Sequence, residues 1–404
     1  MKQIILVCQV FHPDTTSTSQ LFVSLLRNMA KKGLSIHVLC GFPAGNLSDK
    51  TTPRYETLDG IIIKRCGFNI PLKQSLYHRA LSYLSFLLHA GWEIIKAPRD
   101  SIFFGVTNPP FAAILLYLTS KVRKFSYHYM LLDLYPEGLV FLGNLEESSF
   151  ITKIWYALNR LSYSNAAKLA VLGRDMIPLL QTKYHIPQKQ LTYIPHWGAT
   201  EIPVPISFKK SKLTTALSLQ NKFVVQYSGN MGLWHDMETF VQAAVKLKNQ
   251  PDIAFLFIGN GIRRSSAEDL ALNLDAHNII WKDFVPQEEL LDSLSCSHVS
   301  LISLQANLAG VAVPCKLYGI LASGRAIIAQ VPADSEIAYV IEEEQCGVVV
   351  PPGDVDKLIE AIQQLAAAPD LVAKMGKNAF AAYQAKYTLR QAEQAFTQFL
   401  DLSI

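Results

Sequence analysis

The stretch VAVPCKLYGILASGRAIIAQV, residues Val311–Val331, contributes most to the prediction of fold and site. An apolar loop leads to a helix that starts near Pro314 and stops at Ala322-Ser323-Gly324, and a buried strand follows. Lys316 lies in the first turn of that helix. A helix N-terminus offers unpaired N–H groups and a partial positive charge, and a lysine there adds a full charge. The stretch therefore predicts a site for the diphosphate of a nucleotide-linked substrate.

The composition indicates a large folded protein. With 404 residues, of which 50% are hydrophobic and 17% charged, the chain can form two or three domains with well-buried cores. The net charge of +4 is too small to indicate nucleic acid as a partner. Six cysteines are scattered singly, without a CxxC pair, which argues against a zinc site and favours the reducing cytosol.

Neither of two apolar segments predicts membrane insertion. The N-terminus, MKQIILVCQVFHPD, is too short in its apolar part for a signal peptide and is interpreted as a first strand. The uncharged run Ser101–Ser120 reaches spanning length, but Asn108-Pro109-Pro110 interrupts it. A strand, a turn and a short helix explain this run better than a transmembrane helix.

Strands and helices alternate along almost the whole chain. Runs such as IILVCQV have few polar positions, which is typical of strands covered on both faces, so the pattern predicts parallel, doubly wound sheets. A Pro- and Ser/Thr/Lys-rich segment, Gly198–Leu219, is interpreted as the interdomain linker. We predict an N-terminal Rossmann-like domain over residues 1–200, with 388–404 returning to it across the interface. A second Rossmann-like domain covers residues 201–387.

The loops that follow the strands of the second half hold the candidate ligand-binding residues, because open α/β sheets bind ligands at the carboxyl ends of their strands. Each motif is weak alone, since such glycines often serve only tight turns. Together, glycines and cations at one sheet edge indicate a nucleotide-phosphate site. The candidates are Gly229, Asn230 and His235 after one strand, Gly259, Gly261 and Arg263 after the next, and Gly310, Val311 and Lys316 after a third.

The first half supplies a different set of candidates. Asp133 and Glu137 follow the strand Phe125–Asp133, and Asp14 follows the first strand; carboxylates at the mouth of a sheet can orient an acceptor or relay a proton. A surface turn is the alternative interpretation. Thr16, Ser17 and Thr18 precede a helix, where they either cap it or let an acceptor approach the backbone.

The segment Leu72–Lys96 has a wide apolar face with a partly basic flank at helical spacing. One interpretation is a core helix on the first sheet. The other is an interfacial helix that contacts an anionic membrane.

The ordered motifs FHPD, YSGNMG, FIGNG, PCKLYGILASGRAII and EIAYVIEEEQCGVVVPPGD resemble those of family 4 glycosyltransferases, particularly bacterial enzymes that build cell-surface polysaccharides. The resemblance covers nearly the whole chain and is most specific from Phe223 to Val355. It implies the GT-B fold, in which two Rossmann-like domains face a central cleft. It also implies a retaining transfer from a nucleotide-sugar, usually UDP-linked, without a metal ion or other cofactor.

By this resemblance Lys316 binds the donor phosphate, the Asn230–His235 loop and Arg263 line the donor site, and the backbone at Phe284 and Val285 contacts the base. The chain departs from the family at two acidic positions, where Val311 and Gly319 stand. The second glutamate of the family grips the ribose, and Glu336 is a candidate substitute. The arginine and lysine that usually follow the YSGN strand are also absent.

The sequence therefore predicts a hexosyl- or N-acetylhexosaminyltransferase whose acceptor is a lipid-linked or polysaccharide intermediate. Its expected location is the cytoplasm, at the inner face of the cytoplasmic membrane, and no nucleic-acid partner is expected. Asp133 is the first candidate for the reacting centre, followed by Glu137 and Asp14. The alternatives are a nucleotide-sugar 2-epimerase of the same architecture and an inactive scaffold or ligand-binding relative.

Overall fold

A computed structural model describes residues 2–43, 52–69, 76–198, 202 and 204–402. The chain divides into two compact units. Unit 1 comprises Met1–Thr200 together with Leu389–Ile404, and unit 2 comprises Glu201–Thr388.

Unit 1 is built on an eight-stranded sheet in the order β3-β4-β2-β1-β5-β6-β7-β8. All neighbouring strands are parallel except the edge pair β3 and β4, which is antiparallel and was not predicted. β1 and β6 are buried along nearly their whole length, as parallel strands between helical layers must be. The strands are β1 Gln3–Val7, β2 Ser35–Cys40, β3 Tyr55–Leu58, β4 Ile61–Arg65, β5 Ile102–Val106, β6 Tyr127–Leu131, β7 Lys168–Val171 and β8 Leu191–Tyr193.

The helices of unit 1 include the last helix of the chain, which packs on the first. Its residues Phe396 and Phe399 are buried, and Phe396 lies edge-on to Phe22 and Trp197. The helices are α1 Ser17–Lys31, α2 Leu76–Lys96, α3 Ala112–Arg123, α4 Glu137–Phe141, α5 Phe150–Ser164, α6 Met176–Tyr184 and α15 Leu389–Phe399.

Unit 2 has a six-stranded, entirely parallel sheet in the order β11-β10-β9-β12-β13-β14. β10 and β13 are completely buried. The strands are β9 Phe223–Ser228, β10 Ile253–Ile258, β11 Ile279–Lys282, β12 Val299–Ser303, β13 Ala326–Gln330 and β14 Gly347–Val350.

The helices of unit 2 cover both faces of this sheet. The larger core joins α8 and α13 to the sheet through residues such as Phe240, Phe257 and Ile362. A smaller cluster on Phe208 and Leu256 closes the other face. The helices are α7 Lys212–Ala216, α8 Met237–Lys246, α9 Arg264–Asn273, α10 Leu290–Ser295, α11 Lys316–Ser323, α12 Glu336–Glu344, α13 Val355–Ala366 and α14 Pro369–Lys386.

Two sequence-based predictions about apolar segments can be compared with these elements. The run Ser101–Ser120 forms strand β5, a turn and the start of α3, as expected. The predicted segment Leu72–Lys96 is helical from Leu76 onward, and its first residues lie outside the described ranges. Among the residues that the structure describes, no helix is both long and apolar enough to cross a bilayer.

Candidate active site

The candidate donor site of unit 2 lies where the strand order reverses. β9 is the first strand of this sheet, yet it lies between β10 and β12, so the connections after β9 and β12 leave in opposite directions. Ligands of open α/β sheets bind in the crevice at such a switch point. The loop after β9 begins at Gly229, and the segment after β12 leads to Lys316.

Lys316 is the central cation of this site. Its Nζ donates to the backbone oxygen of Asn230 at 3.2 Å, lies 3.1 Å from His235 Nε2, and sits 5.0 Å from the ring centre of Tyr227. Burial lowers the pKa of Lys316 to about 8, so at neutral pH the ammonium is still mostly charged. An ammonium held by one carbonyl, one imidazole and one ring can exchange these weak partners for a phosphate oxygen.

His235 is neutral and orients Lys316. Its Nδ1 lies 2.7 Å from the Ser303 carbonyl oxygen, which can only accept, so Nδ1 carries the proton and Nε2 accepts from Lys316. Burial is the main cause that lowers the His235 pKa to about 3, and the Lys316 charge adds to it. The imidazole therefore cannot supply a positive charge to the site near neutral pH.

A network that was not predicted fixes the end of this loop. Ser303 Oγ accepts from the Asp236 backbone N–H at 2.8 Å, and the Asp236 carboxylate caps α8 by accepting from the N–H and the hydroxyl of Thr239. The buried Gln330 amide donates to the same carboxylate at 3.3 Å. Asp236 is thus committed to structure, and its sequence signal was only the ordinary one of an N-cap.

Glycines bring the loops after β9 and β10 into direct backbone contact. The Gly259 φ of +128° and the Gly261 φ of +149° fall where side chains are rarely tolerated. A Cβ at Gly261 would lie 2.5 Å from the Met231 oxygen, and one at Gly259 would overlap the Gly229 carbonyl oxygen. A Cβ at Gly229 would lie 2.8 Å from Lys316 Cε. These close approaches explain why glycine occupies all three positions.

Gly259→Ala is expected to destabilise unit 2 by about 3 kcal/mol or more, because the added methyl group must displace backbone atoms as well as adopt a strained φ. Urea unfolding followed by circular dichroism measures the change. Gly353→Ala is the matched control: its φ of +77° is also positive, but nothing lies within 4 Å of the added Cβ. Equal losses for the two variants would contradict the close packing of the loops after β9 and β10.

The two arginines after β10 have different roles. Arg264 is committed within the unit: its guanidinium donates to the Gly259 oxygen at 2.7 Å and pairs with Glu268 and Asp283. Among the described residues, the Arg263 guanidinium makes only long bonds, of 3.3 and 3.4 Å, to the Leu233 carbonyl oxygen. Arg263 is therefore the second cation at this edge that a diphosphate could recruit.

The remaining residues predicted to bind the donor also belong to unit 2, but they differ in their exposure to solvent. Phe284 is 58% exposed, and its ring lies 3.2 Å from the position of a Cβ at Gly259, whereas Val285 packs into the smaller core cluster. Gly310 has a φ of +73°, and Val311 is buried with its N–H donating to the Leu308 oxygen. Phe284 thus offers an exposed aromatic ring at the sheet edge.

The candidate substitute for the ribose contact, Glu336, is not presented to solvent. It is completely buried in the first turn of α12, directly after the Ser335 cap. This burial gives no support to a contact between Glu336 and a bound ribose. At Gly319, by contrast, an added Cβ would touch only Leu294 Cδ1, at 3.4 Å, so α11 has room for a Cβ at the position where the resemblance implies a glutamate.

In unit 1, Asp133 follows β6 at a strand end that is fixed by Thr107. The Thr107 hydroxyl donates to the Met130 oxygen and accepts from the Leu132 N–H, both at 3.2 Å. Within the described residues no hydrogen bond or ion pair to the Asp133 carboxylate is present, and burial raises its pKa to about 7. A carboxyl group with this pKa can take up or release a proton near neutral pH.

The environment of Glu137 differs from that of Asp133 and indicates a structural role. Glu137 is buried, its Oε1 accepts from the Tyr184 hydroxyl at 2.7 Å, and Lys183 Nζ lies 3.7 Å away. Burial raises the pKa of Glu137, while the Tyr184 hydrogen bond opposes the rise. The side chain thus joins α4 to α6, which the sequence did not indicate.

The loop after β1 mainly caps the N-terminus of α1. Thr16 caps this helix, its Oγ1 accepting from the Ser19 N–H at 3.4 Å, while Ser17 and Thr18 form the first turn. The backbone N–H of Asp14 donates to the Phe11 oxygen at 3.0 Å. The capping interpretation therefore accounts for Thr16. Ser17 is exposed and Thr18 partly so, and both remain accessible to a ligand.

The described residues of both units can also be searched for metal ligands and for paired thiols. Among the residues that the structure describes, no group of three or more His, Cys, Asp or Glu side chains is arranged to hold a metal ion. All six cysteines are unpaired, and all except Cys315 are buried.

The chain is similar in sequence and in fold to several known proteins. Residues 210–382 match the family model of "Glycosyl transferases group 1". The probable glycosyltransferase WbjE of Pseudomonas aeruginosa is 26% identical, with 90% of each chain covered. The putative colanic acid biosynthesis glycosyl transferase WcaI of Escherichia coli K12 is 22% identical, covering 88% of this chain and 89% of that protein. Anabaena Alr3699/HepE, solved in complex with UDP, superposes with a TM-score of 0.71 at 12% identity, covering 99% and 100%.

Two parallel-sheet α/β units of this kind have the GT-B fold, and the predicted resemblance and fold are confirmed. More narrowly, residues 210–382, which lie in unit 2, are similar to the group 1 glycosyltransferases.

Proposed function

We propose that this enzyme transfers a hexosyl or N-acetylhexosaminyl group from a UDP-linked sugar, with retention of the anomeric configuration. The observation that carries the proposal is the Lys316 ammonium, held by weak partners beside the Gly229 turn at the switch point of unit 2. A leaving diphosphate develops negative charge as the glycosidic bond breaks. A preorganised cation at that position stabilises the departing group.

In the proposed donor site, some residues supply positive charge and others determine the shape of the site. Lys316 and Arg263 supply the positive charge, so the proposal requires no metal ion or other cofactor for the diphosphate. Gly229, Gly259 and Gly261 let the loops after β9 and β10 pack closely together beside Lys316. Phe284 presents an exposed ring near the same edge, where a uracil base can stack.

The nucleotide and the acceptor are inferred from relatives and from unit 1. A structural neighbour is solved with UDP, and one relative is named for colanic acid biosynthesis, which supports a UDP-sugar and a polysaccharide or lipid-linked acceptor. We propose that unit 1 binds this acceptor near Asp133. Asp14 and the turn Thr16–Thr18 would contribute to the same acceptor binding. The reaction would take place at the cytoplasmic face of the membrane, with α2 in contact with the lipid.

A thermal-shift panel tests the donor proposal. UDP and UDP-sugars are expected to raise the melting temperature, because a ligand that binds only the folded state stabilises it by mass action. GDP and ADP forms serve as controls for the base, and uridine as a control for the phosphates. If none of the UDP, GDP or ADP forms shifted the transition, the transferase proposal would have to be abandoned.

Product analysis separates the transferase from the epimerase of the same architecture. With the correct donor and no acceptor, the transferase is expected to release UDP only at a low rate, by hydrolysis of the donor. Accumulation of an epimeric nucleotide-sugar under these conditions would instead identify an epimerase.

A further inference from the structure

We propose that the exposed faces of α2, α3 and α5 together form a membrane-docking surface, the three-helix surface, for anionic lipid. The proposal deepens the membrane contact suggested for α2 above. It rests on the proposed function only for its biological purpose, since lipid binding can be measured without any donor or acceptor.

Each of the three helices carries an apolar stripe that faces solvent. On α2, Leu84, Leu88 and Trp92 recur every four residues, and Leu88 is 69% exposed. On α3, Leu118 and Val122 have the same spacing, and Val122 is 68% exposed. These positions lie one helical turn apart, so each stripe runs along a single face.

The third helix has the longest stripe. Ile151, Ile154, Leu158 and Leu161 follow the spacing of one face of α5, and Ile151 is 65% exposed. Half of the 22 large hydrophobic residues that are exposed in the described part of the chain belong to these three helices and their first-turn neighbours. Such a concentration on one layer of one unit marks an interaction site rather than the scattered exposure of ordinary surfaces.

The three helices that carry these stripes form one continuous layer. A Cβ at Gly91 of α2 would lie 3.0 Å from Leu115 Cδ1 of α3, and Arg123 at the end of α3 donates to the Ala97 oxygen just after α2. Phe111, at the start of α3, stacks on Trp155 of α5 with ring centres 4.6 Å apart.

Lys121 near the end of α3 donates to Asn165 at the end of α5, at 2.8 Å. The N-terminal part of α3 thus contacts the N-terminal half of α5, and the two C-terminal ends also meet. The two helices therefore run parallel and side by side. The apolar stripes are therefore presented together.

The charges of these helices favour anionic lipid. Their sequences contain six basic residues and one acidic residue, Glu93, whose carboxylate is paired with Lys64. Lys96 lies over the Trp92 ring at 4.7 Å, and Lys121 over the Tyr117 ring at 5.2 Å. An apolar face with lysines and aromatic rings at its flank is the pattern of helices that lie in the headgroup region.

The same charges argue against a second copy as the occupant. A two-fold dimer on this surface would bring two equally basic layers together, because such an interface uses the same patch of both subunits. That arrangement places like charges opposite one another, whereas anionic headgroups neutralise them.

Vesicle co-sedimentation of the full chain tests the proposal, with phosphatidylcholine vesicles compared with vesicles that also contain phosphatidylglycerol. Wild type is expected to bind the anionic vesicles, and added salt should weaken binding. Leu118→Asp/Val122→Asp on α3 and Ile151→Asp/Leu158→Asp on α5 should each reduce binding about tenfold or more. The control, Leu272→Asp/Leu371→Asp, alters exposed residues of unit 2 and should bind like wild type.

Circular dichroism and the UDP-induced thermal shift are measured on the same preparations, and both should be unchanged in all three variants. Three results would overturn the proposal: no binding of wild type to anionic vesicles, full binding by the α3 and α5 variants, or a wild-type dimer that these variants convert to monomer. Loss of the UDP response alone, with vesicle binding intact, would count only against the proposed function.

Discussion

Lys316→Met is expected to lower kcat/KM for the nucleotide-sugar by about 10²–10³-fold, because the departing diphosphate loses the cation that the Gly229 turn and His235 hold in place. Methionine is chosen because it retains the length and apolar stem of lysine. Initial rates with saturating acceptor measure the change. Donor affinity should also fall in the wild type above pH 8, where the ammonium loses its proton, since its pKa is about 8.

The stability of the Lys316 variant separates a binding role from a structural one. Burial has lowered the Lys316 pKa, so the unfolded chain holds this proton more tightly, and the charged group costs folding free energy below pH 8. The wild type should therefore gain stability as pH rises from about 8 towards 10.5. Lys316→Met should melt no lower than wild type at pH 7, and Lys374→Met, at an exposed lysine of unit 2, is the control. Activity retained in Lys316→Met would refute the role of this lysine in the donor site.

Asp133→Asn is expected to lower turnover by about 10²–10⁴-fold while stabilising the protein. The carboxyl is partly buried without an ionic partner among the described residues, and its pKa of about 7 means that ionisation is costly in the folded state. The folded state binds the proton more tightly than the unfolded state between pH 4 and 7, so this group's contribution to stability falls across that window. Above pH 7 the asparagine variant should therefore be more stable than the wild type, since it has no charge to desolvate.

The pH profile tests the same assignment in the wild type. If Asp133 acts as a base towards the acceptor, the rate should rise with pH to a plateau above about 7, and the asparagine variant should lose this limb. Asp100→Asn, at an exposed position of unit 1, is the control and should change neither rate nor stability. Unchanged turnover in Asp133→Asn would show that Asp133 has no part in the reaction.

The alternation of strands and helices predicted both parallel sheets, because strands covered on two faces have almost no polar positions. β10, with the sequence IAFLFI, is completely buried, as its composition indicates. The edge hairpin of β3 and β4 was missed. Its strand Tyr55–Leu58 is short and half exposed, so it has no buried run. The two-residue connection Asp59-Gly60 is a hairpin turn signal that could have located the pair.

The donor loops could be located from sequence because glycine and cation positions after strands follow from topology alone. The partners of those groups could not. That His235 donates to the Ser303 carbonyl oxygen, and therefore must accept from Lys316, depends on a contact between residues 68 positions apart. The burial of Glu137 and Glu336 could not be predicted either, because it results from tertiary packing.

Calorimetric titration of UDP, UMP and uridine into the wild-type enzyme is the most direct test of the claim that unit 2 binds a diphosphate through Lys316. We expect UDP to bind at least about 100-fold more tightly than uridine, a difference of about 2.7 kcal/mol, with UMP between them. Lys316→Met should remove most of this difference and leave uridine binding unchanged. Equal affinities for UDP and uridine, or the same preference for UDP in Lys316→Met, would contradict the assignment of this site.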